Sequence, residues 1–182
     1  MTARDGRPAL VLVTGLQGSG KSTIAEGVGD ALGAPVLAWD WLMAALTPFA
    51  PLQDALRGMD APTHRAVGWS LVLHAARAQA QRGLDVVLDG MARADDVARF
   101  RALADDVGAS STVVLTTVDD PDVQRARIEG RSRGIPGWYE LTWAQVERSR
   151  AAWVAPTDVD LVLDSARQPA ALVAAVIEHL AR

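Results

Sequence analysis

Short, unbroken apolar runs recur along this chain, separated by longer stretches with the period of an amphipathic helix. The runs are Ala9 to Val13, Pro35 to Trp39, Leu84 to Asp89, Ser111 to Val118 and Val159 to Asp164. Continuous rather than alternating hydrophobicity over so few residues predicts parallel strands buried on both faces. Between them the pattern predicts helices over Ser22 to Leu32, Thr63 to Arg82, Ala94 to Val107, Leu141 to Val154 and Pro169 to Ala181. A further helix starts at Pro121, with Asp120 as its cap. Gly33, Gly83 and Gly108 supply stops, and Thr63, following Pro62, supplies a start. Trp41 to Leu46 reads as a helical turn. Pro48 to Pro62 reads as a segment broken by prolines and Gly58, and Ser132 to Tyr139 as a loop.

Strands alternating with helices predict an α/β fold, a parallel sheet covered on both faces. No repeat or linker interrupts the pattern, so residues 1–182 are read as one domain, with a loose N-terminus through about residue 7.

Composition narrows the function. The 182 residues are 49% hydrophobic and 22% charged, with a formal net charge of −4, which disfavours a general nucleic-acid binder. There is no cysteine, which removes disulfides, cysteine-ligated zinc and thiol nucleophiles. No apolar stretch has the length of a signal peptide or a membrane span, so a cytoplasmic protein without a membrane partner is expected.

Gly15-Leu16-Gln17-Gly18-Ser19-Gly20-Lys21-Ser22, followed by Thr23, fits the phosphate-loop pattern G-x-x-x-x-G-K-[ST] in full. The first strand precedes it and the first helix follows. Glycines let backbone N–H groups turn around phosphate oxygens, and the helix adds its positive dipole end. The lysine ammonium reaches the terminal phosphates, and the Ser22 hydroxyl ligates Mg²⁺. Lys21 is the only lysine among eighteen Lys and Arg residues, in a chain otherwise written with arginine. A nucleoside triphosphate is the expected ligand.

What the triphosphate is used for depends on the other strand ends. No paired carboxylate of the large ATPases follows the third strand, which ends in "VVLDG". An N-K-x-D base-reading motif is impossible with one lysine. A small phosphotransferase remains. Asp40 closes the second strand, where a carboxylate can take the proton of an attacking hydroxyl or, more plainly, cap the next helix. Asp89 closes the third strand and can serve either the metal or the acceptor. Arg125, Arg127, Arg131 and Arg133 form a run in which at least one guanidinium is expected on phosphate; a solvated helix face is the alternative.

The "GLQGSGKST" loop, Asp40, "VVLDG" and "DDPDVQRARIEGR" together resemble the small P-loop kinases related to zeta toxins, chloramphenicol phosphotransferase and the kinase domain of polynucleotide kinases. The resemblance follows element order over nearly the whole chain. It implies a P-loop NTPase fold with sheet order 2-3-1-4-5, ATP with Mg²⁺ as donor, and Asp40 as general base. It also implies Arg127 near the adenine, Arg131 or Arg133 on the phosphates, Ser165 to Gln168 near the base, and a short lid over about 125–140.

The acceptor is expected among residues following the second strand, including Trp39, Trp41, Met43, Phe49, His64, Arg65 and Trp69. Strand alternation sets Trp39 and Trp41 opposite Asp40, which reads as core packing; an apolar wall beside the base is the other reading. Trp69, Trp143 and Trp153 read as helix core. His64, His74 and His179 lack metal-ligand spacing, and Arg93 reads equally as an anion contact or a loop arginine. A small-molecule hydroxyl acceptor is favoured. A polynucleotide 5′-hydroxyl kinase is disfavoured, because Arg57 is the one basic residue between Ser22 and His64. A nucleotide-binding regulatory module is the third reading.

Overall fold

Five parallel strands form one sheet in the order β2-β3-β1-β4-β5, and the computed structural model describes residues 6–182. The strands are β1 (Ala9–Thr14), β2 (Val36–Ala38), β3 (Val86–Asp89), β4 (Ser110–Thr117) and β5 (Leu161–Asp164). The helices are α1 (Lys21–Leu32), α2 (Trp39–Ala44), α3 (Ala50–Gly58), α4 (Ala61–Ala80), α5 (Ala94–Asp106), α6 (Pro121–Glu129), α7 (Trp143–Ala152) and α8 (Pro169–Leu180). For residues 1–5 the expected loose N-terminus lies outside the described residues.

Period-two alternation divides the core into two layers. Leu10, Leu12, Val86, Leu88 and Val113 face one side, against Trp69, Val72 and Ala76 of α4 and Val97 and Phe100 of α5. Val11, Val13, Val87 and Val114 face the other, against Ile24 and Val28 of α1 and Leu172 and Val176 of α8. Leu10 to Val13 are wholly buried, which explains why the central strand carries no polar position before Thr14.

Register decides what stands at the functional end of the sheet. Val13 pairs with Asp89, and Ala38 pairs with the same Asp89. The ends of β1, β3 and β2 are therefore level, and the residues leaving them share one edge.

Three local expectations need correction. The segment from Pro48 to Pro62 is not merely broken loop: it contains α3, with proline in the first turn, where no helical N–H is lost. Likewise α4 starts ahead of Thr63. Asp60 is its cap and accepts the Thr63 amide at 2.7 Å, so Thr63 lies inside the first turn. Asp40 does not cap α2; the cap position is Ala38 and Asp40 lies in the helix's first turn.

Gly68 on α4 gives Trp39 its place. A methyl group there would stand 2.1 Å from Trp39 Nε1, while that indole N–H donates to the Arg65 carbonyl at 3.4 Å. Gly68→Ala should therefore lower stability by about 1–3 kcal/mol through overpacking, despite alanine's better helix propensity. A urea midpoint equal to or above wild type would contradict this packing.

Candidate active site

The phosphate loop leaves β1 through Gly15 and enters α1 at Lys21. Gly15, Gly18 and Gly20 all have positive φ, at 154°, 80° and 82°. Space as well as torsion demands glycine at the first of these. A Cβ on Gly15 would lie 2.5 Å from Ser19 Oγ and equally close to the carbonyl and hydroxyl oxygens of Thr116. Ser19 and Thr116 hydroxyls bond each other at 2.7 Å, and Thr116 donates to the Thr14 carbonyl at 3.2 Å. Ser19, expected at the nucleotide, instead turns its side chain into the loop's own support, and its amide donates to Leu16 at 3.1 Å.

A second brace comes from α6. Gln124, fully buried, donates through Nε2 to the Gln17 carbonyl at 2.5 Å and accepts from Arg150 of α7. Arg127 donates to the Gly18 carbonyl at 3.3 Å and to Ser165 Oγ and the Ser165 carbonyl at 2.7 and 2.9 Å. Arg127 thus joins the phosphate loop to the turn after β5. With their carbonyls held outward, the loop's remaining amides are free to face an anion. Gln124 has no sequence motif that marks it; only the fold brings it to the loop.

Beyond the loop opens a cleft of about 930 Å³, bordered by Gln17, Lys21, Ser22 and Thr23 on one side. Asp40, Asp89, Arg131 and Arg133 border it as well, so the structure gathers these expected site residues around one space. Asp89 is buried, and its Oδ1 has no hydrogen-bond partner. Burial pushes its carboxyl above the usual range; the Lys21 ammonium and then the Ser22 hydroxyl pull it back, while Asp40 adds to the rise. An orphaned carboxylate oxygen beside a serine hydroxyl at a phosphate loop suits a hard, oxygen-seeking divalent cation such as Mg²⁺. Among the described residues no three His, Cys, Asp or Glu side chains cluster into a metal cage.

The arginines separate into different tasks. Arg125 is exposed and pairs with Glu129 at 2.9 Å, a solvated helix face. Arg131 forms no hydrogen bond or ion pair among the described residues. Burial lowers its basicity, with Arg133 contributing in the same direction. Arg133, the alternative to Arg131 for the phosphates, is bound to Asp40 Oδ2 at 2.5 Å, to Glu140 at 3.3 Å and to the Tyr139 carbonyl. Arg93 donates to the Ala152 carbonyl at 3.0 Å.

The aromatic residues also depart from expectation. Trp41 is 53% exposed and Trp39 half-buried, and both line the cleft, so the reading of Trp41 as core packing is overturned. Trp69 is core, as expected, yet its edge still reaches the cleft. Trp143 and Trp153 are only half-buried. Trp138 and Tyr139, from the loop following α6, are not distinguishable in sequence from ordinary loop aromatics; they line the cleft.

Two outcomes follow from this arrangement. Asp89 holds a proton in the folded chain over a pH window in which the unfolded chain has released it. Folding stability therefore falls as pH rises from the unfolded value, about 3.9, through the raised folded value. Asp89→Asn should raise the neutral-pH Tm by ~2–4 °C per kcal/mol relieved, and the gain should vanish in acid. A lower Tm at neutral pH would contradict it. Gln124→Leu strands the Gln17 carbonyl and Arg150, and should cost about 1–3 kcal/mol in denaturant unfolding.

No curated protein matches the chain, and no helix of the described residues is long and apolar enough to cross a membrane. Among solved structures, APS kinase of Mycobacterium tuberculosis in complex with AMPPNP and APS has a TM-score of 0.67 and 25% identity, covering 97% of this chain and 99% of that one. A gluconokinase from Sinorhizobium meliloti has a TM-score of 0.63 and 21% identity, covering 97% of each chain. Shikimate kinase from Bacteroides thetaiotaomicron has a TM-score of 0.64 and 17% identity, covering 95% of this chain and 98% of that one. The AAA domain family matches residues 10–156. With its glycine loop between β1 and α1 and its sheet order of β2-β3-β1-β4-β5, the chain belongs to the AAA domain family and has the single-domain α/β fold of P-loop kinases.

Proposed function

We propose that the chain is an ATP- and Mg²⁺-dependent phosphotransferase that moves the γ-phosphate to a hydroxyl of a small molecule. The observation that carries this reading is the convergence of Lys21, Ser22, Asp40, Asp89 and Arg131 on one cleft of about 930 Å³ beside the phosphate loop. The kinase neighbours, one of them bound to AMPPNP, support the donor. The motifs favour the small-kinase branch that includes zeta toxins, chloramphenicol phosphotransferase and polynucleotide kinase domains. The region from about residue 125 to 140 acts as the lid, and the whole chain as one catalytic domain.

In this reading the amides of Gly18 and Gly20 and the side chains of Lys21 and Thr23 hold the triphosphate. Gly15 and Ser19 shape the loop, and Gln17 and Arg127 fix its outer rim. Arg127, between Gly18 and Ser165, also offers a guanidinium plane beside the turn where the base would lie. Ser22 and Asp89 would hold Mg²⁺, which when bound neutralises charge between the β- and γ-phosphates.

Asp40 acts on the acceptor. Its Oδ2 is paired with Arg133, which holds the carboxylate in one orientation and leaves Oδ1 to face the incoming hydroxyl. As the phosphorus–oxygen bond to the acceptor forms, the hydroxyl proton passes to Asp40, and the bond to the ADP leaving oxygen breaks. Arg131, which has no hydrogen bond or ion pair among the described residues, is the guanidinium free to meet the transferring phosphoryl group. Arg133 orients Asp40 and ties it to the lid through Glu140 and Tyr139.

Phosphorus NMR of ATP consumption, run over neutral alcohols, sugars, nucleosides and a 5′-hydroxyl oligonucleotide, tests the reading. One small-molecule alcohol should yield a phosphate ester. Transfer should fall roughly a hundredfold or more in Asp40→Asn with ATP affinity retained, and vanish in Lys21→Ala. The same slow hydrolysis with every compound would instead make this a regulatory module.

A further inference from the structure

Resting on that kinase reading, we infer that the acceptor is a neutral alcohol carrying an aromatic ring, clasped between Trp41 and Tyr139. The first ground is the composition of the acceptor side of the cleft. Trp39, Trp41 and Trp69 come from the α2 and α4 walls, and Trp138 and Tyr139 from the lid. The rings form a connected set. Trp39 meets Trp138 at 6.1 Å edge to face, and Trp138 meets Tyr139 at 5.0 Å. His64 lies 5.6 Å from Trp39 at the same wall.

Two glycines fix these rings. Gly68 leaves room for the Trp39 indole. A Cβ on Gly90, directly after Asp89, would lie 3.0 Å from Trp69 and 3.1 Å from Trp39. The back wall is thus rigid. Trp41 and Tyr139, 53% and 55% exposed, both line the cleft, and their exposed ring surface is available to a planar guest.

The second ground is charge. An anionic acceptor is best held by a free cation, and three of the four arginines that line the cleft are occupied. Arg65 binds both carboxylates of the α5 start, Asp95 at 2.9 Å and Asp96 directly. Arg133 is shared between Asp40 and Glu140, and Arg93 is tied to the Ala152 carbonyl. Arg131 has no hydrogen bond or ion pair among the described residues; the carboxylates that act on it are Glu140, Asp40 and Asp89, the last two at the transfer end. Glu26 adds a further negative charge to the cleft. An acceptor carboxylate or sulfate would meet aromatic faces and neutralised cations.

Calorimetric titration of the AMPPNP-loaded protein separates this inference from the kinase reading, because it needs no turnover. The probes are para-hydroxyethyl benzamide, the matching para-hydroxyethyl benzoate and gluconate. The benzamide should bind at least about tenfold more tightly than either anion. Trp41→Ala and Tyr139→Ala, both exposed and outside the folding core, should each weaken it by a similar factor. Equal or tighter binding of the benzoate, or unchanged affinity in both variants, overturns the inference. Tight benzamide binding without phosphate transfer to any alcohol would leave the inference standing and overturn the kinase reading.

Discussion

Everything at the active edge depends on the absence of one side chain at Gly15. The turn out of β1 is closed so tightly that three oxygens stand where a Cβ would be, at 2.5 Å. That closeness lets the Ser19 and Thr116 hydroxyls bond across the turn and ties the loop to β4. The loop is therefore an extension of the sheet's centre, not a flexible appendage. Its stiffness is inherited from a strand with no exposed residue between Leu10 and Val13. Electrostatic preorganisation of this kind is useful only if the donors keep their positions while charge shifts.

The sheet register carries the same rigidity sideways. Asp89 is paired with the last turn of β1 on one side and with β2 on the other, so the buried carboxylate cannot drift from Ser22 and Lys21. Asp40 follows two residues after the end of β2, on a short helix. Its tether is different: Arg133 arrives from 93 residues away in sequence. One carboxylate is positioned by the core and the other by the lid. The fixed group suits an ion that must be held throughout, and the tethered group suits a proton transfer gated by what enters the cleft.

Local signals made the strands, most helices and the phosphate loop legible in the sequence. Each depends on neighbours within a few residues: apolar runs, glycines at positive φ, Asp120 and Pro121 at a helix start. The departures are local too: proline, a breaker inside a helix, is accepted in the first turn of α3 and α4. What could not be read was set by long-range contact. Gln124 resembles any polar residue on an exposed helix, yet it is buried under Gln17, 107 residues away. Trp41 sits on a short helix, so the period-two alternation of an extended strand does not set its exposure. Trp138 and Tyr139 gain meaning only when the loop folds back toward α2.

The solitary lysine has a practical corollary in bioconjugate chemistry. Apart from the terminal α-amino group, an amine-selective acylating reagent finds one side chain in the entire sequence, and that nitrogen borders the cleft. Beyond any increment at the α-amino group, covalent labelling is then a binary readout: one mass increment at Lys21, or none. Because the chain also lacks cysteine, a thiol introduced at any surface position would be the sole thiol label. The loop's ammonium and a chosen second position can thus carry two different reporters with no other side chain substituted.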